Sequence, residues 1–314
     1  MANATLMRDA FIDYIYDAAK ANSNLMFLSA DFGAKALDRF REDLPNQFLH
    51  TGIAEQNMVD LGAGLAIAGK QVILYAMAPF LTARCYEQIK AVLCAMNLPI
   101  ALVGVGAGLG YDHATLTHFT PEDIASTKAL NHMEVWSMAD SPSALALAEL
   151  IAEQPALRYV RLERQPMPPI YGTVGRADLE RGYGHLRQGR DLCIVACGYM
   201  THKALIAADQ LAAEGISAGV VDLFRIKPLP ADLVGLLAGY GAVISVEEQL
   251  LEGGFGSGVL EGLADAGIMR PFKRLGLRNG FDVTNGDRDQ LHAKYGIDIP
   301  DIVAAARSLG GKAV

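Results

Sequence analysis

Residues 47–69, QFLHTGIAEQNMVDLGAGLAIAG, join a short apolar run to a long series of small apolar residues, with a carboxylate between them. The first part predicts a strand, and the part that opens at Glu55 predicts a helix. Helical spacing predicts a buried stripe on that helix, made of Met58, Leu61, Leu65 and Ala68. The small residues at 62–64 would let the helix approach its neighbours closely. A strand that leads into an interior helix is a unit of an α/β fold, and the carboxylate at the helix start needs a chemical reason.

Length and composition agree with a soluble two-domain protein. The chain has 314 residues, of which 51% are hydrophobic and 20% are charged. There is ample apolar surface to bury and no composition typical of disorder. The net charge of -8 argues against general nucleic-acid binding, because phosphate backbones are bound by basic surfaces. It does not restrict small substrates, since the local charge in a cleft can oppose the net charge.

The cysteines and the N-terminal residues indicate a cytoplasmic protein. The seven histidines do not lie at metal-ligand spacings, and no CxxC pair occurs. We expect buried, reduced thiols at the four cysteines, Cys85, Cys94, Cys193 and Cys197. The opening segment MANATLMRDAFIDYIYDAAK has Asp and Tyr where a signal peptide needs an unbroken apolar core. No apolar run approaches membrane-spanning length, so no membrane association is expected.

Segments with strand and helix patterns alternate along the chain, and the strands are almost continuously apolar. This pattern is typical of parallel sheets covered by helices on both faces. A segment with prolines at 166, 168 and 169 interrupts the alternation. The sequence therefore predicts two α/β domains, at residues 1–165 and 183–314, joined by a linker at residues 166–182.

Two glycine-rich segments give little support to a nucleotide site. GVGAGLG at 104–110 follows a predicted strand but does not have the G-x-G-x-x-G spacing. GGFGSG at 253–258 is closer to an anion site at a helix start, but no Walker lysine and no ribose-binding acid accompany it. Close packing of a helix on a strand is the simpler interpretation of the second segment.

Polar and basic residues follow the ends of two predicted strands. YDHATLTHFTPED at 111–123 comes after a carboxyl end of a strand, where open α/β sheets bind ligands. His113 and His118 in this segment are either surface loop residues or part of a site, and both interpretations stay open. The last strand of the first domain carries three arginines, Arg158, Arg161 and Arg164. Arginines there face solvent by default, but beside a cleft they bind carboxylates and phosphates.

Several segments resemble, in order, segments of transketolases and 1-deoxyxylulose-5-phosphate synthases. They are QFLHTGIAEQNMVDLGAGLAIAG, APFLTARCYEQ, LTHFTPED and RYVR, followed by VDLFRIKPLP, SVEEQLLEGGFGSGV and GFDVTNGDRDQLHAKYGID. The resemblance covers nearly the whole chain. It implies a thiamine-diphosphate-binding domain followed by a transketolase C-terminal-like domain.

The resemblance covers only the last two of the three domains of that family. The first domain of the family carries the GDG…N motif that binds the diphosphate and magnesium, and no GDG occurs in this sequence. This implies a split enzyme, in which a partner chain supplies the diphosphate half and two copies of each chain form an α2β2 heterotetramer. The cofactors implied are thiamine diphosphate and Mg²⁺, with the metal ligands coming mainly from the partner.

The resemblance implies cofactor roles for four residues. Glu55 matches the glutamate that hydrogen-bonds N1′ of the aminopyrimidine and so activates the cofactor. Phe80 matches the aromatic residue that stacks on the pyrimidine, and Tyr86 matches a second wall of that pocket. Asp31, in SADFG, resembles an aspartate near the cofactor.

The resemblance also implies substrate roles. His118 in LTHF resembles the histidine that contacts the substrate oxygens beside the reacting carbon, and it is therefore a catalytic candidate together with Glu55. Asp112 is the counterpart of a loop aspartate, and His113 beside it is a further substrate candidate. Arg161 resembles the strand-end arginine that holds a substrate phosphate. Arg84 resembles a substrate arginine of the synthase branch, although the local alignment needs an extra residue.

Two departures from the family concern the substrate half of the site. The family segment DGPTHQ is here DHATLTHF, with two more residues between Asp112 and His118. The position of a phosphate-contacting histidine of transketolases corresponds to Gly104. The cofactor half thus matches the family and the substrate half is remodelled, so a standard pentose phosphate is not implied.

These inferences predict a thiamine-diphosphate-dependent ketol transfer that is active only with a partner subunit. A second hypothesis is the β subunit of a 2-oxoacid dehydrogenase E1 component, which has the same two domains. A third hypothesis is a non-catalytic assembly subunit with the same fold. GIAEQNMV and the tail GFDVTNGDRDQLHAKYGI favour transketolase over the dehydrogenase, and the presence of Glu55, Phe80 and His118 together argues against a non-catalytic chain.

Overall fold

The computed structural model describes residues 6–30, 35–280 and 284–310. The strands are β1 (Leu25–Ser29), β2 (Phe48–His50), β3 (Gln71–Met77), β4 (Ile100–Val105), β5 (Glu134–Ser137), β6 (Arg158–Leu162), β7 (Gly184–Arg187), β8 (Leu192–Ala196), β9 (Ala218–Asp222), β10 (Arg225–Lys227), β11 (Ala242–Leu250) and β12 (Phe272–Leu277). The α-helices are α1 (Met7–Ala21), α2 (Asp38–Asp43), α3 (Glu55–Ile67), α4 (Ala78–Thr82), α5 (Tyr86–Gln88), α6 (Asp123–Lys128), α7 (Ser141–Glu153), α8 (Arg176–Arg181), α9 (Tyr199–Ala213), α10 (Ala231–Ala238), α11 (Phe255–Asp265), α12 (Arg288–Tyr295) and α13 (Ile299–Gly310). A π-helical segment, Ile89–Cys94, continues α5.

The strands form two sheets, and most neighbouring strands are parallel. The first sheet has the order β10-β5-β6-β4-β3-β1-β2, and the second has the order β12-β11-β8-β9-β7. Alternate residues of β3 pack into different cores, with Val72 and Leu74 in one and Ile73 and Tyr75 in the other. Both faces of the sheet are therefore covered, which confirms the predicted α/β class.

Three short elements were not predicted. Helix α8 lies within the segment expected to be a linker, and β7 is an antiparallel edge strand of the second sheet. Strand β10 lies within the sequence of the second domain but pairs antiparallel with β5 of the first sheet. It is three residues long and is followed by Pro228, which hides it among breakers in the sequence. The second domain thus adds an edge strand to the first.

Helix α3 begins at Glu55, as predicted, but buries a different stripe. Its buried residues are Glu55, Met58, Val59, Gly62 and Ala63. Leu61 was predicted inside and is 41% exposed, and Ala68 lies beyond the end of the helix and is also exposed. The reason is the close approach to β3, because a Cβ at Gly62 would lie 2.8 Å from Leu74 Cδ2. The glycine decides which face of the helix is inside.

The four cysteines are buried and free, as predicted. Burial raises the pKa of the Cys85 thiol to about 12, and burial likewise raises the pKa of Cys197 to about 12. Such thiols are inert at neutral pH. In the ranges that the structure describes, no helix is both long enough and apolar enough to cross a membrane.

Candidate active site

The residues predicted to bind cofactor and substrate follow neighbouring strands of the first sheet. Strands β2, β1, β3, β4 and β6 are parallel, so their carboxyl ends lie at one edge. Glu55 comes after β2, Phe80 after β3, and His118 within the connection after β4. This edge is where open α/β sheets bind ligands.

Glu55 is a buried carboxylate at the first position of α3, with 2% of its surface exposed. Its position at the helix N-terminus favours a negative charge. Arg84 donates a hydrogen bond from Nη1 to Glu55 Oε2 at 2.5 Å. The guanidinium carbon of Arg84 also lies 4.2 Å from the centroid of the Phe80 ring. One planar cation therefore contacts both groups that were predicted to recognise the aminopyrimidine.

A row of planar side chains continues from Phe80 toward the connection after β4. The rings of Phe80 and His118 meet edge to face, with centroids 5.2 Å apart. Tyr111 also contacts His118, with a centroid distance of 5.5 Å, and the guanidinium carbon of Arg164 is 5.0 Å from the Tyr111 centroid. His118 thus contacts two aromatic rings, and one of them, Phe80, also contacts Arg84.

The connection at residues 106–121, called the 106–121 loop below, is closed at its base and folded against itself. Thr120 donates its backbone N–H to the Gly108 carbonyl at 2.9 Å. Gly106 has φ +83°, and a Cβ there would lie 2.0 Å from the Tyr111 ring, so only glycine permits this packing. His118 Nδ1 is 2.9 Å from Thr117 Oγ1, which orients the imidazole.

Two further loop candidates, Asp112 and His113, follow Tyr111 directly. Asp112 is buried, and its Oδ2 accepts a hydrogen bond from Gln165 Nε2 at 3.3 Å. Its Oδ1 accepts the backbone N–H of His113 at 2.8 Å, and the His113 side chain is exposed. The contacts of Asp112 are thus with its own domain.

The remaining cofactor candidates are Tyr86 and Asp31. Tyr86 is half-buried against the core, and its hydroxyl donates to the Ser126 carbonyl at 3.3 Å. Asp31 falls outside the residues that the structure describes. The predicted second wall of the pyrimidine pocket stays a prediction.

Arg161, predicted to hold a substrate phosphate, lies near the carboxyl end of β6, and its guanidinium is ion-paired within the chain. It is 3% exposed, and its Nε donates to Asp123 Oδ2 at 2.7 Å while its Nη1 donates to Ser137 Oγ at 2.8 Å. Burial disfavours the charged guanidinium, but the Asp123 carboxylate more than compensates and raises the pKa of Arg161. Tyr159 donates to the same carboxylate oxygen at 2.8 Å. Arg161 is therefore a buried, paired cation, and its predicted contact with a substrate phosphate stays a prediction.

Two glycine positions explain other features of the sequence. The N-terminus of α11 in GGFGSG is occupied by Glu247, whose carboxylate accepts the backbone N–H of Phe255 and of Gly256 at 2.8 and 3.0 Å. The anion-binding geometry is therefore satisfied within the chain, as expected for helix–strand packing. At Gly104 a Cβ would lie 3.0 Å from Tyr159 and 3.1 Å from Ala78, so this position has little room for a histidine side chain.

Sequence reasoning did not single out Tyr111, and it named Arg164 only as one of three arginines that face either solvent or a cleft. Tyr111 opens the polar segment, and Arg164 is exposed at the end of β6, three residues after the buried Arg161. The available signal was strand alternation, which places Arg161 and Arg164 on opposite faces. Among the described residues, no group of three or more His, Cys, Asp or Glu side chains could hold a metal ion.

Comparison with protein families identifies both halves of the chain. The family described as transketolase, pyrimidine binding domain, matches residues 4–169, and the family described as transketolase, C-terminal domain, matches residues 183–302. Both agree with the predicted resemblance.

Individual relatives extend over the same residues. A protein of Actinobacillus succinogenes, named as one of the subunits of an apulose-4-phosphate transketolase, is 30% identical over 98% of this chain and 100% of its own length. The 1-deoxy-D-xylulose-5-phosphate synthase of Thermomicrobium roseum is 35% identical over 96% of this chain, which spans only 48% of that protein.

Solved structures share the fold. A structure described as a split gene transketolase in an inactive β4 tetramer superposes with a TM-score of 0.87 and 32% identity, covering 98% of each chain. Transketolase from Leishmania mexicana has a TM-score of 0.80 at 20% identity, covering 98% of this chain and 45% of that one. The chain therefore belongs to the transketolase family, with a pyrimidine-binding domain followed by a transketolase C-terminal domain.

Proposed function

We propose that this chain is the C-terminal subunit of a split transketolase, which transfers two-carbon ketol units with thiamine diphosphate and needs a partner subunit for activity. The observation that supports this most is the Glu55–Arg84–Phe80 arrangement at the ligand edge of the first sheet. The relatives that match this chain over nearly their full length include one named as a transketolase subunit. When bound, thiamine diphosphate supplies the carbon nucleophile for such a transfer.

The residues present fit the aminopyrimidine half of the cofactor. An aminopyrimidine is flat and carries ring and exocyclic nitrogens, so it needs a carboxyl partner at an edge and an aromatic partner on a face. Arg84 supplies a planar group with nitrogen donors and makes both contacts with Glu55 and Phe80. We assign Glu55 the exchange of a proton with the ring nitrogen and Phe80 the stacking on the ring. Tyr86 and Asp31 complete the proposed cofactor residues.

The substrate half is assigned to the residues beyond Phe80. His118 would orient a substrate oxygen and stabilise the charge that develops on it. Asp112 and His113 belong to the same loop, and Arg84 would bind an anionic group of the substrate once the cofactor occupies the pocket. Arg164, the exposed arginine just after β6, contacts Tyr111 of this row, and we propose it beside the buried Arg161 as a residue that binds a substrate anion.

The partner is assigned the diphosphate and Mg²⁺, because the GDG…N motif that binds them in the family does not occur in this sequence. An α2β2 assembly is supported by apolar surface near Glu55. Ile53, Leu61 and Ile67 are 75%, 41% and 60% exposed, and all three lie on α3 or just before it. We assign these exposed apolar side chains to the subunit interface. The free, buried cysteines support a reducing compartment such as the cytoplasm.

Reconstitution tests the proposal. The chain is co-expressed with a candidate chain that carries GDG…N, and turnover is measured with a set of ketose and 2-oxo acid donors and aldehyde acceptors. We expect ketol transfer only when both chains are present. Robust turnover by this chain alone would contradict the split enzyme, and oxidative decarboxylation of a 2-oxo acid by the pair would support the dehydrogenase β subunit instead.

A further inference from the structure

The second domain holds the 106–121 loop at both of its ends. Leu250 at the end of β11 donates its backbone N–H to the Pro121 carbonyl at 2.9 Å. Two residues earlier, Glu248 Oε2 accepts the backbone N–H of Leu109 at 3.4 Å. The two ends are joined by the Gly108–Thr120 bridge. A single strand of the second sheet therefore contacts both stems of the loop that carries His118.

Glu248 lies directly against the loop backbone. A Cβ at Gly108, which has φ +58°, would lie 2.3 Å from Glu248 Oε2. Any larger residue would push the loop away from the carboxylate, and the positive φ also favours glycine. The loop is thus seated on Glu248 with no intervening side chain.

Glu248 is itself fixed by two side chains of α12. Arg288 binds it bidentately, with Nε 2.6 Å from Oε1 and Nη2 2.5 Å from Oε2, and His292 Nε2 is 2.5 Å from Oε1. All three side chains are buried. Burial opposes ionisation, but Arg288 and His292 outweigh it and hold the pKa of Glu248 well below its ordinary value. The carboxylate is a rigid, charged support.

Arg288 also reaches back to the first domain. Its Nη1 donates to Glu163 Oε2 at 2.7 Å, just after β6, and its guanidinium carbon lies 3.9 Å from the centroid of the Tyr199 ring. Gln165, which is hydrogen-bonded to Asp112 of the loop, is 3.5 Å from the same nitrogen. The cation therefore connects α12 and β11 to the strand end and the loop at once.

We propose that the C-terminal domain positions the 106–121 loop, and with it His118, through the buried Glu248–Arg288 pair. Glu248 and Arg288 are positioning residues, since they act through the loop backbone and not on the substrate. The expected effect on enzyme kinetics rests on the proposed function. The contacts between the Glu248–Arg288 pair and the 106–121 loop are within this chain and do not depend on it. The second domain would thus affect substrate binding without affecting cofactor binding.

Hydrogen exchange of the full-length chain tests the coupling without any cofactor. Glu248→Gln removes the charge but leaves Arg288 paired with Glu163. We expect amides of residues 107–119 to exchange about tenfold faster, the effect of losing charge-assisted contacts. Glu247→Gln is the matched control, because Glu247 is the adjacent buried carboxylate and contacts α11 instead of the loop. Its effect should be confined to residues near 254–258.

Kinetics of the reconstituted enzyme separate positioning from a general loss of structure. With the ketose donor that gives the highest wild-type turnover, Glu248→Gln should raise KM about tenfold. The Kd for thiamine diphosphate should stay within about twofold of the wild-type value, since Glu55 and Phe80 do not contact the pair. Arg288→Lys keeps the charge and loses the bidentate geometry, so it should show a smaller change in the same direction.

Unchanged exchange of residues 107–119 in Glu248→Gln would overturn the inference. Exchange that rises equally throughout the chain would also overturn it, because the pair would then support the fold in general. If Glu248→Gln does not fold, the exchange of Arg288→Lys decides between the same two results. Absence of turnover in the wild-type complex would refute the proposed function and leave the exchange result valid.

Discussion

The two halves of the site are built differently. The proposed cofactor half, at Glu55 and Phe80, lies within the first domain, at the start of α3 and on α4, which both follow strands of one sheet. The proposed substrate half lies on the 106–121 loop, which contacts β11 and α12 of the second domain. We infer that α3 and α4 keep Glu55 and Phe80 in place because one sheet anchors both helices. The 106–121 loop can differ in length and keep its position because the second domain holds both of its ends. The two extra residues that the resemblance implies between Asp112 and His118 fall in this loop.

The largest effect is expected at Glu55. Glu55→Gln in the reconstituted enzyme should lower kcat by at least about 100-fold, because an amide cannot exchange a proton with the ring nitrogen. Gel filtration should show an unchanged assembly, since Gln has the shape of Glu and still lies beside Arg84. Unchanged turnover would remove the catalytic role of Glu55 and favour a non-catalytic subunit.

Replacement of His118 should lower kcat/KM for the substrate and leave cofactor binding unchanged. His118→Ala should lower kcat/KM for the ketose donor by about 10- to 100-fold, the value of a hydrogen bond to a charged group. Calorimetry should give a Kd for thiamine diphosphate close to the wild-type value. His132→Ala, an exposed histidine elsewhere in the first domain, is the control. A large loss of cofactor affinity in His118→Ala would mean that the two halves are not separate.

Arg84 connects the two halves, and its replacement should strengthen cofactor binding. Arg84 must leave Glu55 and Phe80 before an aminopyrimidine can contact them, so Arg84→Met should lower the Kd for thiamine diphosphate about fivefold. The control is Arg307→Met, which removes another exposed arginine, one paired with Glu214 at 2.6 Å. Weaker cofactor binding in Arg84→Met would show that Arg84 supports the pocket in the bound state as well.

The smallest effect is expected at Asp222 and concerns the pH dependence of stability. Cofactor and substrate binding should not change. Burial raises the pKa of Asp222 to about 7, although hydrogen bonds from Thr201 and Tyr171 act in the opposite direction. The folded state therefore keeps a proton that the unfolded state loses above about pH 4, so stability falls as the pH rises toward 7. Asp222→Asn should flatten this dependence of Tm between about pH 4.5 and 7.5. Parallel Tm profiles for the two proteins would contradict the assignment.

Much of this architecture could be predicted from the sequence, because its signals are local. Alternation of apolar strands and helices predicted the class, and the helix that starts at Glu55 follows from the residues around it. The position of His118 after the carboxyl end of β4 followed from the same pattern. These features depend on neighbours in the sequence.

The rest depends on contacts between distant residues. Arg161 is buried because Asp123, 38 residues away in the sequence, meets it at the start of α6. The pairing of Arg84 with Glu55 and the addition of β10 to the first sheet are equally non-local. Helical spacing predicted the wrong buried face of α3. Because Gly62 packs against Leu74, Leu61 lies at the surface.

The separation of the two halves is tested most directly by calorimetric titration of thiamine diphosphate into the reconstituted complex. Phe80→Ala and His118→Ala are compared with the wild type in one series. We predict that Phe80→Ala weakens cofactor binding by about tenfold or more, since base stacking on an aromatic ring contributes about 1–3 kcal/mol. His118→Ala should bind the cofactor as the wild type does. Equal losses in both variants, or a loss in His118→Ala alone, would contradict the account.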